Sequence, residues 1–317
     1  MTPIRCGVVG VGHLGYHHAR LLSSLDGVEL VGVADIDTAH RERAAEAFTV
    51  PGFSSARGLI ECGAEAVSIA TPTTTHHDVM LELVQAGVHV LVEKPLASTV
   101  SEAETMLAVA RLHQVRVQAG HVERFNGAVL ALQDAIARPR FIECHRLSPY
   151  PQRGSDVSVV HDLMIHDLDI VCALVGEEII AIDAMGVPVF SESEDIANVR
   201  LRFAGGCVAN ITSSRVSLER MRKIRVFSED AYVSTDYAAQ DVLVYRKKPG
   251  PLPAGASPME HITIEPLPVQ RDEPLKLELT AFVDSVRTGR PPLVSGEDGL
   301  AALQLAERVV AAMRGAR

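Results

Sequence analysis

Short apolar runs alternate with amphipathic segments over roughly the first 120 residues of the chain. The runs, such as "IRCGVVGV" and "AEAVSIAT", are rich in Val, Ile and Ala, and a segment with helical spacing follows each of them. Continuous apolar strands are expected where both faces of a sheet are covered. The alternation therefore predicts an α/β fold with an N-terminal, doubly wound parallel sheet of the Rossmann type.

The pattern changes after about residue 125. A helical segment at about 156–175 is followed by strand-like segments that run from "EEIIAIDAMGV" to "DVLVYRK". Residues 249–274 hold seven prolines, which predicts a loop and an edge strand, and two helical segments finish the chain. We expect a C-terminal α+β domain with a large open, mostly antiparallel sheet over 124–317, after a first domain over 1–123. The last helix could pack back on the first domain.

Composition narrows the class of protein. A chain of 317 residues is expected to form two domains, and its net charge of −10 gives no reason to propose nucleic acid or an anionic membrane as a partner. No apolar run is long enough to span a bilayer, and "MTPIRCGVVGVG" lacks the features of a signal peptide. Five scattered cysteines without a C-x-x-C motif indicate reduced thiols in a cytoplasmic protein.

A glycine-rich turn follows the first predicted strand. "GVVGVGHLG" places Gly10, Gly12 and Gly15 in G-x-G-x-x-G register, with His13 and Leu14 inside the motif. Gly10 would permit the tight turn, Gly12 would leave room for a pyrophosphate, and Gly15 would let helix and strand pack closely. Glycines brought together by chance are the alternative, but the strand before the motif and the helix after it favour a dinucleotide site.

Asp35 ends the second predicted strand, twenty residues after Gly15. A carboxylate at this place can accept hydrogen bonds from both ribose hydroxyls and would repel a 2′-phosphate, so the sequence favours NAD over NADP. His40, Arg41 and Arg43 could neutralise a phosphate and keep NADP open. The alternative role for Asp35 is the N-cap of the following helix.

Other candidates follow the third and fourth predicted strands, where ligands bind in open α/β sheets. "ATPTTTHHD" places Thr71 and Pro72 at the end of the third strand, and "VEKP" places Glu93 and Lys94 at the end of the fourth. A lysine there would point into the ligand crevice, although a surface lysine at a strand end is the alternative.

Together these motifs resemble the glucose–fructose oxidoreductase / inositol dehydrogenase (Gfo/Idh/MocA) family. The resemblance covers essentially the whole chain, and the EKP signature is its most specific element. Thr73 stands where many members have Asn. The resemblance implies cofactor contacts from the residues of these motifs, namely Gly10, Gly12, His13, Leu14, Gly15, Asp35, Thr71, Pro72, Thr73, His76, Glu93 and Lys94.

The family also carries a D-x-x-x-H motif on a helix early in the second domain, and Asp162 and His166 match it within "VVHDLMIHDLDIV". At about 100° per residue, Asp162, His166 and Asp169 fall opposite an apolar stripe. A solvated helix face is the alternative interpretation. A metal site is disfavoured, since a catalytic zinc needs a third protein ligand.

The resemblance assigns the chemistry to Lys94, Asp162 and His166. A hydride would leave a secondary alcohol of a sugar or cyclitol, and His166 would take the hydroxyl proton. Lys94 would stabilise the developing alkoxide, and Asp162 would orient the site. Lys94 could instead be the base, and the sequence does not separate these assignments.

Two stretches, "GHVERFN" and "FIECHRLSPYPQRGSDVSVVHDLMIHDLDI", resemble a bacterial subgroup that oxidises C3 of UDP-N-acetylglucosamine for lipid A-type 3-amino sugars. Lys94, Asp162 and His166 would then contact the substrate together with Arg124, Asn126, Arg153 and His161. A further basic run offers more cations for a diphosphate, or a solvated strand face, at Arg215, Arg220, Arg222, Lys223 and Arg225.

Several alternatives stay open at the level of sequence. The substrate could be a free sugar or inositol, the protein could be a non-catalytic dinucleotide-binding regulator, or the enzyme could retain its cofactor between turnovers. The family resemblance implies a homo-dimer or homo-tetramer formed through the second-domain sheets. Functional coupling to an aminotransferase would follow from the nucleotide-sugar reading.

Overall fold

The computed structural model describes residues 2–150, 157–252, 255 and 257–315. The chain forms two compact units. The first unit contains Met1–Val122 and Glu273–Leu303, and the second contains Glu123–Asp272 and Gln304–Arg317.

A parallel six-stranded sheet forms the centre of the first unit, with strand order β3-β2-β1-β4-β5-β6. Its strands are β1 (Ile4–Val9), β2 (Val28–Ala34), β3 (Gly52–Phe53), β4 (Ala66–Ile69), β5 (His89–Glu93) and β6 (Val117–Gly120). The order reverses direction at β1, as in doubly wound sheets. The Rossmann prediction is confirmed, although the two-residue strand β3 and the short helix Ala56–Glu61 that follows it were not predicted.

Five helices connect these strands: α1 (His13–Leu22), α2 (Thr38–Phe48), α3 (Ala56–Glu61), α4 (His76–Gln85) and α5 (Val100–Leu112). Local chemistry sets several of their ends. The Thr99 side chain and Glu102 form a reciprocal capping box at the start of α5. Asp37, not Asp35, is the N-cap of α2, where its side chain accepts from the His40 N–H. The Asp35 side chain therefore does not cap α2.

The second unit is built on an eight-stranded sheet with the order β14-β13-β12-β11-β7-β10-β9-β8. Only the β7–β10 pair is parallel, so the expected large and mostly antiparallel sheet is confirmed. Its strands are β7 (Phe141–Leu147), β8 (Ile179–Val187), β9 (Ile196–Phe203), β10 (Val208–Ser214), β11 (Met221–Phe227), β12 (Ala231–Asp236), β13 (Asp241–Lys247) and β14 (Ile262–Pro266). β14 is the edge strand expected in the proline-rich region.

Helical segments of the second unit flank this sheet. Val122–Phe125 forms a short 3-10 turn that leads from the first unit into α6 (Gly127–Ala135). The predicted helix at 156–175 consists of a π-helical turn, Val160–Met164, and then α7 (Ile165–Val175). Gly176, with φ of 66°, ends α7 in the left-handed conformation that favours glycine.

Two C-terminal helices, α8 (Pro274–Thr288) and α9 (Gly296–Gly315), follow. α8 belongs to the first unit, because Leu279, Phe282 and Val283 pack into the same apolar cluster as Val8 and Leu91. α9 begins in the first unit and continues into the second. The first unit is thus discontinuous in sequence, and a single division after residue 123 does not describe the two compact bodies.

All five cysteines are free thiols. Burial raises the pKa of Cys6 and of Cys172 to about 12, which makes both poor nucleophiles. Within the described part of the chain, no helix has the length and apolarity that crossing a membrane would need.

Candidate active site

The glycine-rich turn between β1 and α1 is shaped by two main-chain contacts. Gly10 has φ of +82°, and a Cβ there would lie 2.8 Å from the Ala70 carbonyl oxygen. A Cβ on Gly15 would lie 1.7 Å from the Gly10 oxygen. Only glycine permits this approach of helix to strand.

Gly12 differs from its two neighbours because a Cβ there would meet no atom closer than His40, at 3.9 Å. The open space lies at the N-terminus of α1, which begins at His13 and has no side-chain cap. The N–H groups of this first turn have no partner within the helix and suit an anion. His13 and Leu14 are exposed in that turn. The residues present therefore fit the pyrophosphate of a dinucleotide.

Asp35 connects the end of β2 to this turn. Its carboxylate accepts from the Val11 N–H and from the Asp37 N–H, both at 2.8 Å. Nearby, Arg41 donates to the Asp35 carbonyl oxygen at 2.8 Å, and Arg43 donates to the Val11 carbonyl oxygen at 3.3 Å. The carboxylate is therefore fixed beside the open space at Gly12, and both guanidinium groups are bonded to main-chain oxygens.

The segment after β4 is a 3-10 turn, Thr73–Thr75, that leads into α4. The Thr75 hydroxyl donates to the Pro72 oxygen at 2.8 Å and lies 2.9 Å from the Thr71 hydroxyl. Thr71 and Thr73 are half-buried and Pro72 is exposed at the carboxyl edge of the sheet. This is the edge predicted for ligand contacts.

His76 has a different position from the one expected of a cofactor ligand. Its ring is 1% exposed. Nδ1 lies 3.0 Å from the Pro95 oxygen, and Nε2 lies 2.9 Å from the Thr71 oxygen. Burial lowers the pKa of His76, and a neutral ring donates to only one of these oxygens. His76 thus bridges the loops after β4 and β5, with both ring nitrogens turned to protein atoms.

Glu93 and Lys94 end β5 on the same edge of the sheet. The Glu93 side chain is buried, and its Oε2 accepts from the Lys94 N–H at 3.3 Å. Lys94 is half-buried. The first unit therefore gathers the glycine turn, Asp35, the Thr71 segment and Lys94 at the carboxyl ends of β1, β2, β4 and β5.

In the second unit, Asp162 and His166 occupy the π-helical turn and the first turn of α7, and both are half-buried. Asp169, which the sequence places on the same polar face, lies three residues after His166 on α7. Its side chain is 4% exposed and lies 3.2 Å from Nη1 of Arg124. The π-helical turn, with i→i+5 hydrogen bonds, changes the angular spacing that a uniform α-helix would give.

Arg146 on β7 anchors this helical segment to the sheet. Its Nε and Nη2 donate to the two carboxylate oxygens of Asp167 at 2.8 and 3.0 Å, and its Nη1 donates to Glu123 at 3.0 Å. Burial opposes the charge of Arg146, but the two carboxylates raise its pKa above the ordinary value. Asp167 follows His166 directly, so this ion pair fixes the backbone that carries the histidine.

Sequence reasoning missed Arg146, Asp167 and Glu123. One signal was available in "FIECHRL", because Arg146 shares the phase of Ile142 and Cys144 and all three are buried. An arginine in the apolar phase of a strand indicates a buried ion pair.

Three of the predicted substrate-binding residues contact other residues of the protein. Asn126 is buried, caps α6 through the Ala128 N–H at 3.0 Å, and donates to the Tyr237 oxygen at 3.2 Å. The His161 ring lies 2.9 Å from a carboxylate oxygen of Glu307 on α9. Arg124 pairs with Asp169, as described above. Arg153 lies outside the described residues.

The basic run on and before β11 also pairs with acids. Arg215 is fully buried, with its Nε 2.7 Å from Asp195, and Arg225 lies 3.2 Å from Glu143 on the exposed face. These contacts favour the interpretation of the run as structural and solvated cations. The described residues contain no group of three or more His, Cys, Asp or Glu side chains that could hold a metal ion.

Comparison with known proteins assigns both parts of the chain. Residues 4–121 match the model of an oxidoreductase family with an NAD-binding Rossmann fold, and residues 129–234 match the GFO/IDH/MocA C-terminal domain. The UDP-N-acetylglucosamine 3-dehydrogenase of Acidithiobacillus ferrooxidans is 33% identical over 98% of this chain and 97% of its own. A solved structure of that enzyme covers 99% of both chains with a TM-score of 0.92. A myo-inositol 2-dehydrogenase of Thermotoga maritima is 28% identical over 95% of this chain and 94% of its own.

The two glycines of the turn predict opposite responses to an added methyl group. Gly15→Ala forces Gly10 and α1 apart and should destabilise the protein by about 1–3 kcal/mol, lowering Tm. Gly12→Ala meets no neighbour within 3.9 Å, so Tm should hold while dinucleotide affinity falls. Thermal unfolding and calorimetric titration with NAD and NADP measure both effects. Equal Tm losses in the two variants would contradict the assigned geometry.

Removing the Arg146 guanidinium should be costly because it takes the bidentate counter-charge from the buried Asp167 and leaves Glu123 with only the 3.5 Å contact to Arg222. Arg146→Met is expected to lower the free energy of unfolding by about 3–5 kcal/mol. Arg225→Met, which breaks an exposed pair in the neighbouring strand, should cost at most about 1 kcal/mol. Urea denaturation measures the free energy of unfolding of both variants. Similar losses in the two would show that Arg146 does not anchor the helical segment to the sheet.

Proposed function

Because the chain belongs to the GFO/IDH/MocA oxidoreductase family, we propose that it oxidises C3 of UDP-N-acetylglucosamine to a 3-keto nucleotide sugar. Family membership makes the protein a dehydrogenase that acts on CH–OH groups with a nicotinamide dinucleotide. The observation that carries the finer proposal is the 33% identity to a UDP-N-acetylglucosamine 3-dehydrogenase over 98% of the chain.

NAD is the proposed cofactor. Asp35 holds a carboxylate beside the open space at Gly12, where it can accept from ribose hydroxyls and repel a 2′-phosphate. Of the three side chains that could favour NADP, Arg41 and Arg43 donate to main-chain oxygens, and His40 lies 3.9 Å from the Asp35 carboxylate. A bound nicotinamide would accept the hydride, and residues of the protein would transfer the proton.

His166 acts as the general base in the proposed mechanism and takes the proton of the substrate hydroxyl. Lys94 donates a hydrogen bond to the same oxygen and stabilises the negative charge that develops on it. Asp162 orients these groups. The bidentate contact of Arg146 with Asp167 supports this role for His166, because it limits rotation of the helix where the base is attached.

The opposite assignment, with Lys94 as the base, gives the same overall reaction. Substitution of either residue lowers turnover in both assignments. The pH dependence separates them, because loss of the true base removes the acidic limb of the kcat/KM profile. Neither assignment requires a metal ion.

The nucleotide part of the substrate calls for cations and polar groups. Among the predicted cations, Arg124 has a described position, and its pairing with Asp169 leaves its remaining N–H groups for a phosphate oxygen. Arg153 and His161 stay predicted contacts. Asn126 donates and accepts within its own unit, so its role in substrate binding rests on the sequence pattern alone.

A free cyclitol is the second candidate substrate. It is favoured by the inositol dehydrogenases among the relatives, one of which is 28% identical over 95% of the chain. The proposed 3-keto product is an amine acceptor, so a glutamate-dependent aminotransferase would be the next enzyme for the nucleotide-sugar substrate. The homo-dimer or homo-tetramer and the cytoplasmic location stay predictions.

Turnover tests the proposal directly. Purified protein is supplied with NAD, UDP-N-acetylglucosamine, glutamate and an aminotransferase that removes the ketone, and NADH is followed by absorbance. Lys94→Ala and His166→Ala should each reduce the rate by roughly 10²–10⁴-fold, since each removes a group that acts on the reacting oxygen.

Two exposed residues provide matched controls. Lys276→Ala on α8 and His113→Ala after α5 remove the same side-chain types from the surface and should leave turnover intact. Turnover of inositols without turnover of the nucleotide sugar would replace the proposed substrate by the second candidate.

A further inference from the structure

Five polar side chains are buried together in the first unit, behind the strand end that carries Lys94. They come from five elements, and none is used in the mechanism above. We call them the His18 cluster: His18 on α1, Ser68 on β4, Glu93 on β5, Gln118 on β6 and Glu278 on α8. Each is at most 7% exposed. Such groups are costly in a core unless they are paired.

His18 lies between a hydroxyl and a carboxylate. Its Nδ1 is 2.7 Å from the Ser68 hydroxyl, and its Nε2 is 3.1 Å from Oε1 of Glu93, though poorly aligned for a linear hydrogen bond. The contact with a carboxylate places a proton on Nε2 in either charge state of the ring. Ser68 is 1% exposed, so this Ser–His–Glu series is no nucleophile.

Glu278 differs from His18 and Glu93 in the hydrogen bonding of its side chain. Its side chain is 0% exposed, and neither carboxyl oxygen has a hydrogen-bond partner among the described residues. The adjacent Gln118 donates its Nε2–H to the Glu278 carbonyl oxygen at 3.0 Å, and its own Oε1 is equally without a partner. Three buried acceptor atoms therefore lack a donor. One proton on Glu278 would supply a donor and remove a charge from the core.

The charges around Glu278 support the same conclusion. The titratable groups of the cluster are His18, Glu93 and Glu278, while Ser68 and Gln118 are neutral. Burial, and second the charge of Glu93, raise the pKa of the Glu278 carboxyl well above its ordinary value. The nearest ion pair described between α1 and α8, Arg20 with Glu273, lies at the surface and gives Glu278 no counter-charge.

We propose that Glu278 is a neutral carboxylic acid at physiological pH and serves as a positioning residue, leaving Glu93 as the single buried carboxylate that holds the Lys94 strand end. Glu93 is fixed by His18 on one oxygen and by the Lys94 N–H on the other. A Cβ on Gly120 would lie 2.8 Å from the Glu93 Cα, so the neighbouring strand packs closely against Glu93. A second charge on Glu278 would repel Glu93 from its place.

The pH dependence of stability tests the protonation without any assay of activity. The unfolded chain releases the Glu278 proton above about pH 4.3, whereas the folded chain retains it, so the wild-type protein loses stability as pH rises. Glu278→Gln keeps the shape of the neutral acid and cannot ionise. The unfolding equilibrium constant of the wild type, divided by that of Glu278→Gln, should rise about tenfold per pH unit between pH 6 and 8 in urea titrations.

Glu61→Gln is the control, because Glu61 is exposed and pairs with Arg57 on the surface. The unfolding equilibrium constant of the wild type, divided by that of Glu61→Gln, should stay constant over the same pH range. A constant ratio for Glu278→Gln as well would mean that Glu278 is ionised in the folded protein and would overturn the proposal.

A spectroscopic measurement on the wild-type chain avoids any dependence on the folding of a variant. With carboxyl-¹³C glutamate, the infrared band of a protonated carboxylic acid should persist at pH 8 and be missing in Glu278→Gln. Absence of that band from the wild type at pH 8 would equally overturn the proposal.

The positioning role rests on the proposed function and has its own readout. The kcat of the wild type should fall on the alkaline side where Glu278 ionises, and Glu278→Gln should move that limb to higher pH. An unmoved limb would overturn the positioning role. A protein that turns over no tested substrate would refute the proposed function alone, since stability and infrared spectra decide the protonation separately.

Discussion

The contact between Gly10 and Gly15 is the constraint on which the first unit depends. A methyl group on Gly15 would lie 1.7 Å from the Gly10 oxygen, so α1 can pack this closely on β1 only without a side chain there. The close packing directs the N-terminus of α1 to the carboxyl edge of the parallel sheet. Asp35, the Thr71 segment and Lys94 end their strands on the same edge. One steric requirement thus determines where the N-terminus of α1 meets the strand ends at Asp35 and Lys94.

Buried charge has the corresponding role in holding the segments that carry His166 and Lys94. In the second unit, Arg146 donates hydrogen bonds to both carboxylate oxygens of Asp167, the residue that follows His166. In the first unit, His18 and the Lys94 N–H hold Glu93. The two cases differ in charge balance, because Arg146 faces two carboxylates whereas the His18 cluster has two carboxyls and no guanidinium. We attribute the difference to a proton on Glu278, which takes the place of a second cation.

The sequence predicted the features that depend on local pattern. Apolar runs located most strands of both sheets but missed β3 and β7. The spacing of Gly10, Gly12 and Gly15 predicted a turn that the structure confirms. Features that depend on distant partners were not predictable in this way. Nothing in "LKLELTAFVDSVRTG" shows that Phe282 packs with Val8, more than 250 residues away in sequence. The contact of Asp169 with Arg124 joins residues 45 positions apart in sequence, and the two carbonyl contacts of His76 join loops from separate strands.

We propose that C3 of a UDP-linked N-acetylglucosamine loses a hydride in this protein. The most direct measurement supplies NAD and UDP-N-acetylglucosamine deuterated at C3, with the ketone removed by amination, and determines by mass spectrometry where the deuterium goes. Oxidation at C3 requires that the label leaves the sugar and appears in the reduced cofactor. Turnover with the label retained on the sugar would contradict oxidation at C3, and absence of turnover with the nucleotide sugar would contradict the substrate.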